Sequence, residues 1–126
     1  MANLENLPLD LSGLEEKLGY SFKNKDLLRT ATTHSSYVNE VRTKGESVEC
    51  NERLEFLGDS VLSVVVSEHL FEKFSSNPEG DLTQRRALLV QSASLAAYSR
   101  SIGLGDYLYL GHGEEKNCGR ERQSTL

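Results

Sequence analysis

Residues 51–74 contain no proline and repeat their apolar side chains at helical spacing, which leaves one long helix as the reading of this stretch. The run Ser75-Ser76-Asn77-Pro78-Glu79-Gly80 ends it. At about 100° per residue, Glu52, Glu55 and Asp59 fall within an arc of roughly 60°. Leu54, Leu57, Val61, Val64 and Val65 project from the opposite side. Farther along, Val66 and Leu70 return to the carboxylate side, so the rest of the helix is expected to be buried all round. Glu68 falls on the apolar side, and the periodicity gives no reason for it.

Like charges three and four residues apart repel, by a few tenths of a kcal/mol per pair when exposed. Two readings follow. The three carboxylates form a solvated acidic face, or they form half of a divalent-metal site whose oxygen ligands suit Mg²⁺ or Mn²⁺. Gly58 costs about 1 kcal/mol relative to alanine in mid-helix unless a close approach demands it. Phe56 lies beside the carboxylates rather than on the aliphatic side. Spacing alone leaves both readings open.

The remaining pattern is helical too. Ser12 and Glu15 have capping-box spacing ahead of Leu14 and Leu18, with Gly19 as the stop. Asn24 is expected to cap a second helix carrying Leu27, Leu28 and Ala31. Residues 39–50 are polar and irregular and read as a loop. Asp81 is expected to cap a helix through Leu88 to Val90, and residues 92–102 read as another. Glycine then becomes frequent: Gly103, Gly105, Gly111, Gly113 and Gly119 all follow Ile102, which makes the tail mostly loop.

With 126 residues there is room for one domain and a real core. No apolar run approaches the ~20 residues of a membrane helix. The start, MANLENLPLDL, lacks the basic and apolar regions of a signal peptide. Cys50 and Cys118 lie far apart, without disulfide or zinc spacing. These features point to a cytoplasmic protein. The net charge of −5 argues against a nucleic-acid partner unless carboxylates hold metal and basic residues act locally.

The run Asn51-Glu52-Arg53-Leu54-Glu55-Phe56-Leu57-Gly58-Asp59-Ser60 resembles the signature of the ribonuclease III family. Thr33-His34-Ser35-Ser36-Tyr37 resembles that family's T-H-x-S-Y element. Glu79-Gly80-Asp81-Leu82 with Arg85-Arg86-Ala87 looks like its next helix, and Leu104-Gly105-Asp106-Tyr107-Leu108 like the following turn.

The resemblance covers roughly residues 14–126. It implies an all-α endonuclease domain over residues 1–126, a homodimer, and hydrolysis of double-stranded RNA by a metal-activated water, leaving 5′-phosphates. Ribosomal and messenger RNA processing would be its setting. Carried over, Glu55 resembles the first metal ligand and Asp59 the catalytic acidic residue that shares the ion, Mg²⁺ or Mn²⁺ in its place. Glu52 matches a further acidic position at the cleavage centre. Glu79, Arg85 and Arg86 become candidate RNA contacts, and Phe56 a knob at the dimer interface. A metal-bound water needs no histidine base, so His34 is read as structural, and Arg53 as a salt-bridge anchor for its neighbours.

One departure stands out. The family's second acidic pair, Asp-x-x-Glu, has no counterpart after Asp81, where only Asp106, Glu114, Glu115 and Glu121 occur. No double-stranded-RNA-binding domain is expected within these 126 residues either. The domain is therefore expected to be incomplete at its C-terminus. The alternative is a non-catalytic module of the same family that dimerises or binds RNA without cutting.

Overall fold

The structure, a computed structural model, describes residues 10–45 and 48–126. Its first helix, α1 (Leu11–Leu18), is capped by Asp10, whose carboxylate accepts from the Ser12 N–H at 3.1 Å and the Ser12 hydroxyl at 2.8 Å. Asp10 thus takes the place expected for Ser12. The capping box does not form because Glu15 turns inward and accepts from the Phe22 N–H and the Lys25 ammonium. Gly19 ends α1 at φ +67°, a conformation that suits glycine. Asn24 caps α2 (Lys25–Ala31) as expected, its carboxamide oxygen accepting from the Asp26 N–H.

A helix then occupies part of the expected loop. α3 (Ser35–Arg42) is capped by His34, whose Nδ1 accepts from the Ser36 N–H at 3.1 Å. The structural reading of His34 thus holds. Only Val38 and Val41 of α3 are buried, so its mostly polar surface gave no long apolar stripe to read.

The chain continues through α4 (Glu52–Lys73), α5 (Glu79–Val90) and α6 (Ser92–Ser101). A 3₁₀ turn at Leu104–Tyr107, the short α7 (His112–Lys116) and a 3₁₀ turn at Gly119–Glu121 complete it. Among the described residues the architecture is all-α. Pro78, rather than Asp81, holds the cap position of α5. The Asp81 carboxylate instead receives Asn77 Nδ2 at 2.6 Å and Arg85 Nε at 2.8 Å.

Leu14, Leu28 and Tyr107 form the core, with Leu11, Phe22, Ile102 and Leu104 packed around them. α4 packs on α5, α5 on α6, and α6 on the Leu104–Tyr107 turn, which returns to α1. The tail is better ordered than its glycines imply, since Tyr107, Leu108, Tyr109 and Leu110 are all buried. Tyr109 pairs with residues 32–34 as an isolated parallel bridge. Its N–H donates to the Thr32 carbonyl at 2.8 Å, and its carbonyl accepts from the His34 N–H at 3.0 Å.

The orientation of α4 departs from expectation. Leu70 is its only buried residue among those described; Leu54, Leu62, Ser63, Val66 and Ser67 are half-buried, as is Phe74 at its C-cap. At about 100° per residue Leu70, Ser63, Val66, Ser67 and Phe74 lie close to the line that carries Glu52, Glu55 and Asp59, with Leu62 beside it and Leu54 on the opposite side. The seam against α5 therefore continues the carboxylate line. Past the half-buried Leu54 the aliphatic side is left in solvent: Leu57, Val61, Val64, Val65 and Phe71 are all exposed. Each forgoes part of the roughly 1.5–3 kcal/mol that full burial would contribute. Periodicity identifies a helix's two sides but not which one receives a neighbour. Among the described residues no helix is long and apolar enough to cross a membrane.

Candidate functional site

The carboxylates of Glu52, Glu55 and Asp59 stand on the first two turns of α4, all exposed. None of them accepts a hydrogen bond or joins an ion pair among the described residues. Arg53 makes no ion pair there either, so its expected anchoring of these neighbours is not seen. Gly58, between them, has nothing within 4 Å of where a Cβ would stand. The close approach expected at Gly58 is absent from the described residues. The arrangement is a strip of free oxygen donors facing solvent.

Free carboxylates of this kind suit a hard divalent cation. Mg²⁺ is commonly held by one or two carboxylates and fills its other positions with water and phosphate oxygens. Glu55 and Asp59, one helical turn apart, fit that donor requirement. They fit as a pair, because among the described residues no group of three or more His, Cys, Asp or Glu side chains converges closely enough to hold an ion.

The other expected site residues lie on α5 and are engaged within the chain. Glu79 accepts from the Thr83 hydroxyl at 2.5 Å. Arg85 pairs with Asp81 and sits 4.2 Å from the centre of the Phe74 ring. These bonds from Arg85 and Asn77 hold the Asp81 carboxyl below its ordinary pKa. Arg86 donates to the Ser67 hydroxyl at 2.9 Å, tying α5 to α4. At 1.5 Å per residue, Ser67 is about 12 Å along α4 from Asp59, and Phe74 about 22 Å. The structure thus brings Glu52, Glu55 and Asp59 together and leaves Glu79, Arg85 and Arg86 beyond their reach.

Phe56 is 81% exposed, beside the carboxylates as the sequence indicated. It borders a cleft of about 820 Å³ whose apolar lining includes Leu27, Val38, Leu54 and Leu57. Arg42 and Arg53 also line this cleft, with Glu49 and Glu52 opposing them in charge.

The root of α4 carries a contact that sequence reasoning missed. Asn51 occupies the cap position, yet its side chain makes no cap bond. Its Nδ2 donates to the Ala31 carbonyl at 3.2 Å, and its backbone N–H to the Thr33 carbonyl at 2.9 Å. Thr33, 1% exposed, thereby links α4 on one side to the Tyr109 bridge on the other. The available signal was the presence of Thr33 and Asn51 in two recognisable motifs, but a pairing between positions this far apart in the chain leaves no trace in local spacing.

A family model described as ribonuclease-III-like matches residues 24–126. Ribonuclease 3 of Streptococcus gordonii is 48% identical over 126 residues, spanning 100% of this chain and 51% of that protein. Ribonuclease 3 of Lactococcus lactis subsp. cremoris is 50% identical over 117 residues, spanning 90% of this chain and 50% of that protein. The chain thus spans about half the length of the curated relatives it matches. Among solved structures, the nuclease domain of ribonuclease III from Campylobacter jejuni superposes with a TM-score of 0.82 at 44% identity. That match covers 92% of this chain and 76% of the other, whose description concerns flexibility in a region involved in dimer formation.

Proposed function

The chain belongs to the ribonuclease III family, and from that membership we propose that it carries one half of an endonuclease site for double-stranded RNA. The single observation behind this reading is the strip of Glu52, Glu55 and Asp59, exposed and free of partners among the described residues. Glu55 and Asp59 would hold Mg²⁺, or Mn²⁺ in its place. When bound, the ion would lower the pKa of a water and offset charge on the scissile phosphate. Asp59 and Glu52 would be the catalytic carboxylates, Asp59 aligning the ion and Glu52 facing the substrate. Glu79, Arg85 and Arg86 would meet the RNA farther along the duplex, the arginines through phosphate oxygens.

The same reading includes a homodimer with Phe56 at its interface, a cytoplasmic location, and a part in ribosomal and messenger RNA processing. The cleft beside Phe56 supports the dimer. In a two-fold pair each copy offers the same patch, so one copy's Phe56 can meet the other copy's cleft.

A second reading, a family module that dimerises or binds RNA without cutting, is favoured by one observation. Among the described residues no three metal-binding side chains converge. One experiment separates the two. The chain is exchanged for the matching stretch of the full-length Streptococcus gordonii relative, and cleavage of a long RNA duplex with Mg²⁺ is measured. The hybrid is expected to cut, and Asp59→Asn to slow it at least 100-fold while sparing RNA binding. The 126-residue chain alone is expected to cut poorly, because two carboxylates position an ion loosely and positioning contributes several kcal/mol to such barriers. Cutting by the hybrid that ignores Asp59→Asn overturns the nuclease site, and a hybrid that binds RNA without cutting favours the module.

A further inference from the structure

We infer that Asn51 is a positioning residue for the carboxylate strip, acting through its two bonds to the end of α2 and the bridged segment after it. An asparagine in a cap position ordinarily turns its side chain onto the helix it precedes, bonding the second or third N–H. Asn24 does this at α2. Asn51 does not: no side-chain cap bond forms, and its carboxamide reaches 20 residues back to Ala31. Capping of α4 is given up for a tether.

The tether has a partner in the backbone. The Asn51 N–H donates to Thr33, and the Asn51 carbonyl accepts from the Glu55 N–H at 2.8 Å. One residue therefore joins the buried bridge of Thr33 and Tyr109 to the first hydrogen bond of the helix that carries Glu52 and Glu55. The strip's carboxylates make no hydrogen bond or ion pair to orient them among the described residues. Its aim is set by the direction in which α4 leaves this anchor. Partners hydrogen-bonded to metal ligands typically change affinity roughly 10–100-fold when removed, and the backbone tether is expected to act at the low end of that range.

The inference rests on the reading of Glu55 and Asp59 as ion ligands, so its test has two parts. Mn²⁺ alone is titrated into the 126-residue chain while paramagnetic broadening is followed along α4. Amide hydrogen exchange is measured on the same chain without metal. Asn51→Ser keeps a good cap residue but is too short to reach Ala31, and Asn24→Ser serves as a control cap. Asn51→Ser is expected to weaken Mn²⁺ binding at least tenfold and to speed exchange at the amides of position 51 and Glu55, while melting no lower than Asn24→Ser. Asn24→Ser is expected to bind Mn²⁺ as the wild type does.

Equal Mn²⁺ binding by Asn51→Ser and wild type overturns the inference, as does equal loss in both variants. If the wild type shows no saturable broadening at Glu55 and Asp59, the ion reading fails by itself. Exchange then judges the anchor: unchanged rates in Asn51→Ser overturn it, and rates at least tenfold faster support it.

Discussion

At Glu15 the fold buries a carboxylate and surrounds it with donors. It is 7% exposed, accepts from the Phe22 N–H at 2.5 Å, and takes the Lys25 ammonium on both oxygens at 2.8 and 2.7 Å. The Lys25 bond, then the Phe22 bond, hold its pKa below the ordinary 4.5 against the opposing effect of burial. A carboxyl whose folded pKa is lowered adds stability above its unfolded value and loses it as pH falls through the folded one. Glu15→Gln should therefore lower the melting temperature near neutral pH, and the deficit should shrink below about pH 4.5. Thermal melts across pH, followed by circular dichroism, would show this, and a deficit independent of pH would refute it. The same residue shows what local spacing misses. Ser12 and Glu15 have the separation of a capping box, but Glu15's partners come seven and ten residues later. Asp10, as a charged acceptor, takes the Ser12 N–H instead. His34 was read as structural because a metal-bound water needs no base, but its role as the cap of α3 went unread.

Among the elements, those read correctly are the ones whose signals are local. α4 was expected over 51–74 and runs Glu52–Lys73, because a long apolar period and a serine-proline-glycine stop bracket it. α3 was missed because it contacts the core through only two valines and takes its remaining support from the tail. The Gly111 N–H donates to the Ser36 hydroxyl at 3.0 Å, and the His112 N–H to Glu40 at 2.7 Å. The Glu40 carboxylate also meets His112 Nε2 at 3.2 Å. Gly111 is what lets the start of α7 lie this close to α3. A Cβ there would stand 2.7 Å from the Ser36 carbonyl oxygen and 3.0 Å from Glu40 Oε2. Gly111→Ala should thus push α7 off α3 and cost about 1–3 kcal/mol, the usual range for overpacking. Gly113, two residues on, faces open space, so Gly113→Ala should be neutral or slightly stabilising. Urea unfolding of both variants measures the difference, and equal midpoints would show that the contact at Gly111 relaxes without cost.

For the whole molecule, burial is uneven. The buried side chains gather where α1, α2 and α3 meet residues 107–111, whereas α4 and α5 together contribute only Leu70 among the described residues. The sequence could not reveal this, because the apolar side of α4 has the composition of a core surface whether or not a neighbour covers it. Exposure alone does not identify a contact between copies, and two aromatic residues of α4 separate the cases. Phe56 is 81% exposed and Phe71 72%, at about 22 Å from each other along the helix axis. Only Phe56 borders the 820 Å³ cleft lined by Leu27, Val38, Leu54 and Leu57. In a two-fold pair a side chain and the cleft it fills are supplied by each copy to the other, so every loss on substitution occurs twice. Truncating an aromatic anchor seated in an apolar pocket commonly costs about 2 kcal/mol or more. Every ~1.4 kcal/mol is a tenfold change in a dissociation constant. Sedimentation equilibrium of the 126-residue chain should therefore show a dimer that Phe56→Ala weakens at least tenfold. Phe71→Ala, 72% exposed and bordering a smaller cavity of about 450 Å³ beside Val64, Glu68 and Arg86, should leave the constant within about twofold of wild type, since truncation at energetically neutral surface positions changes little. A dimer insensitive to Phe56→Ala, or one lost equally in both variants, would move the interface off this end of α4.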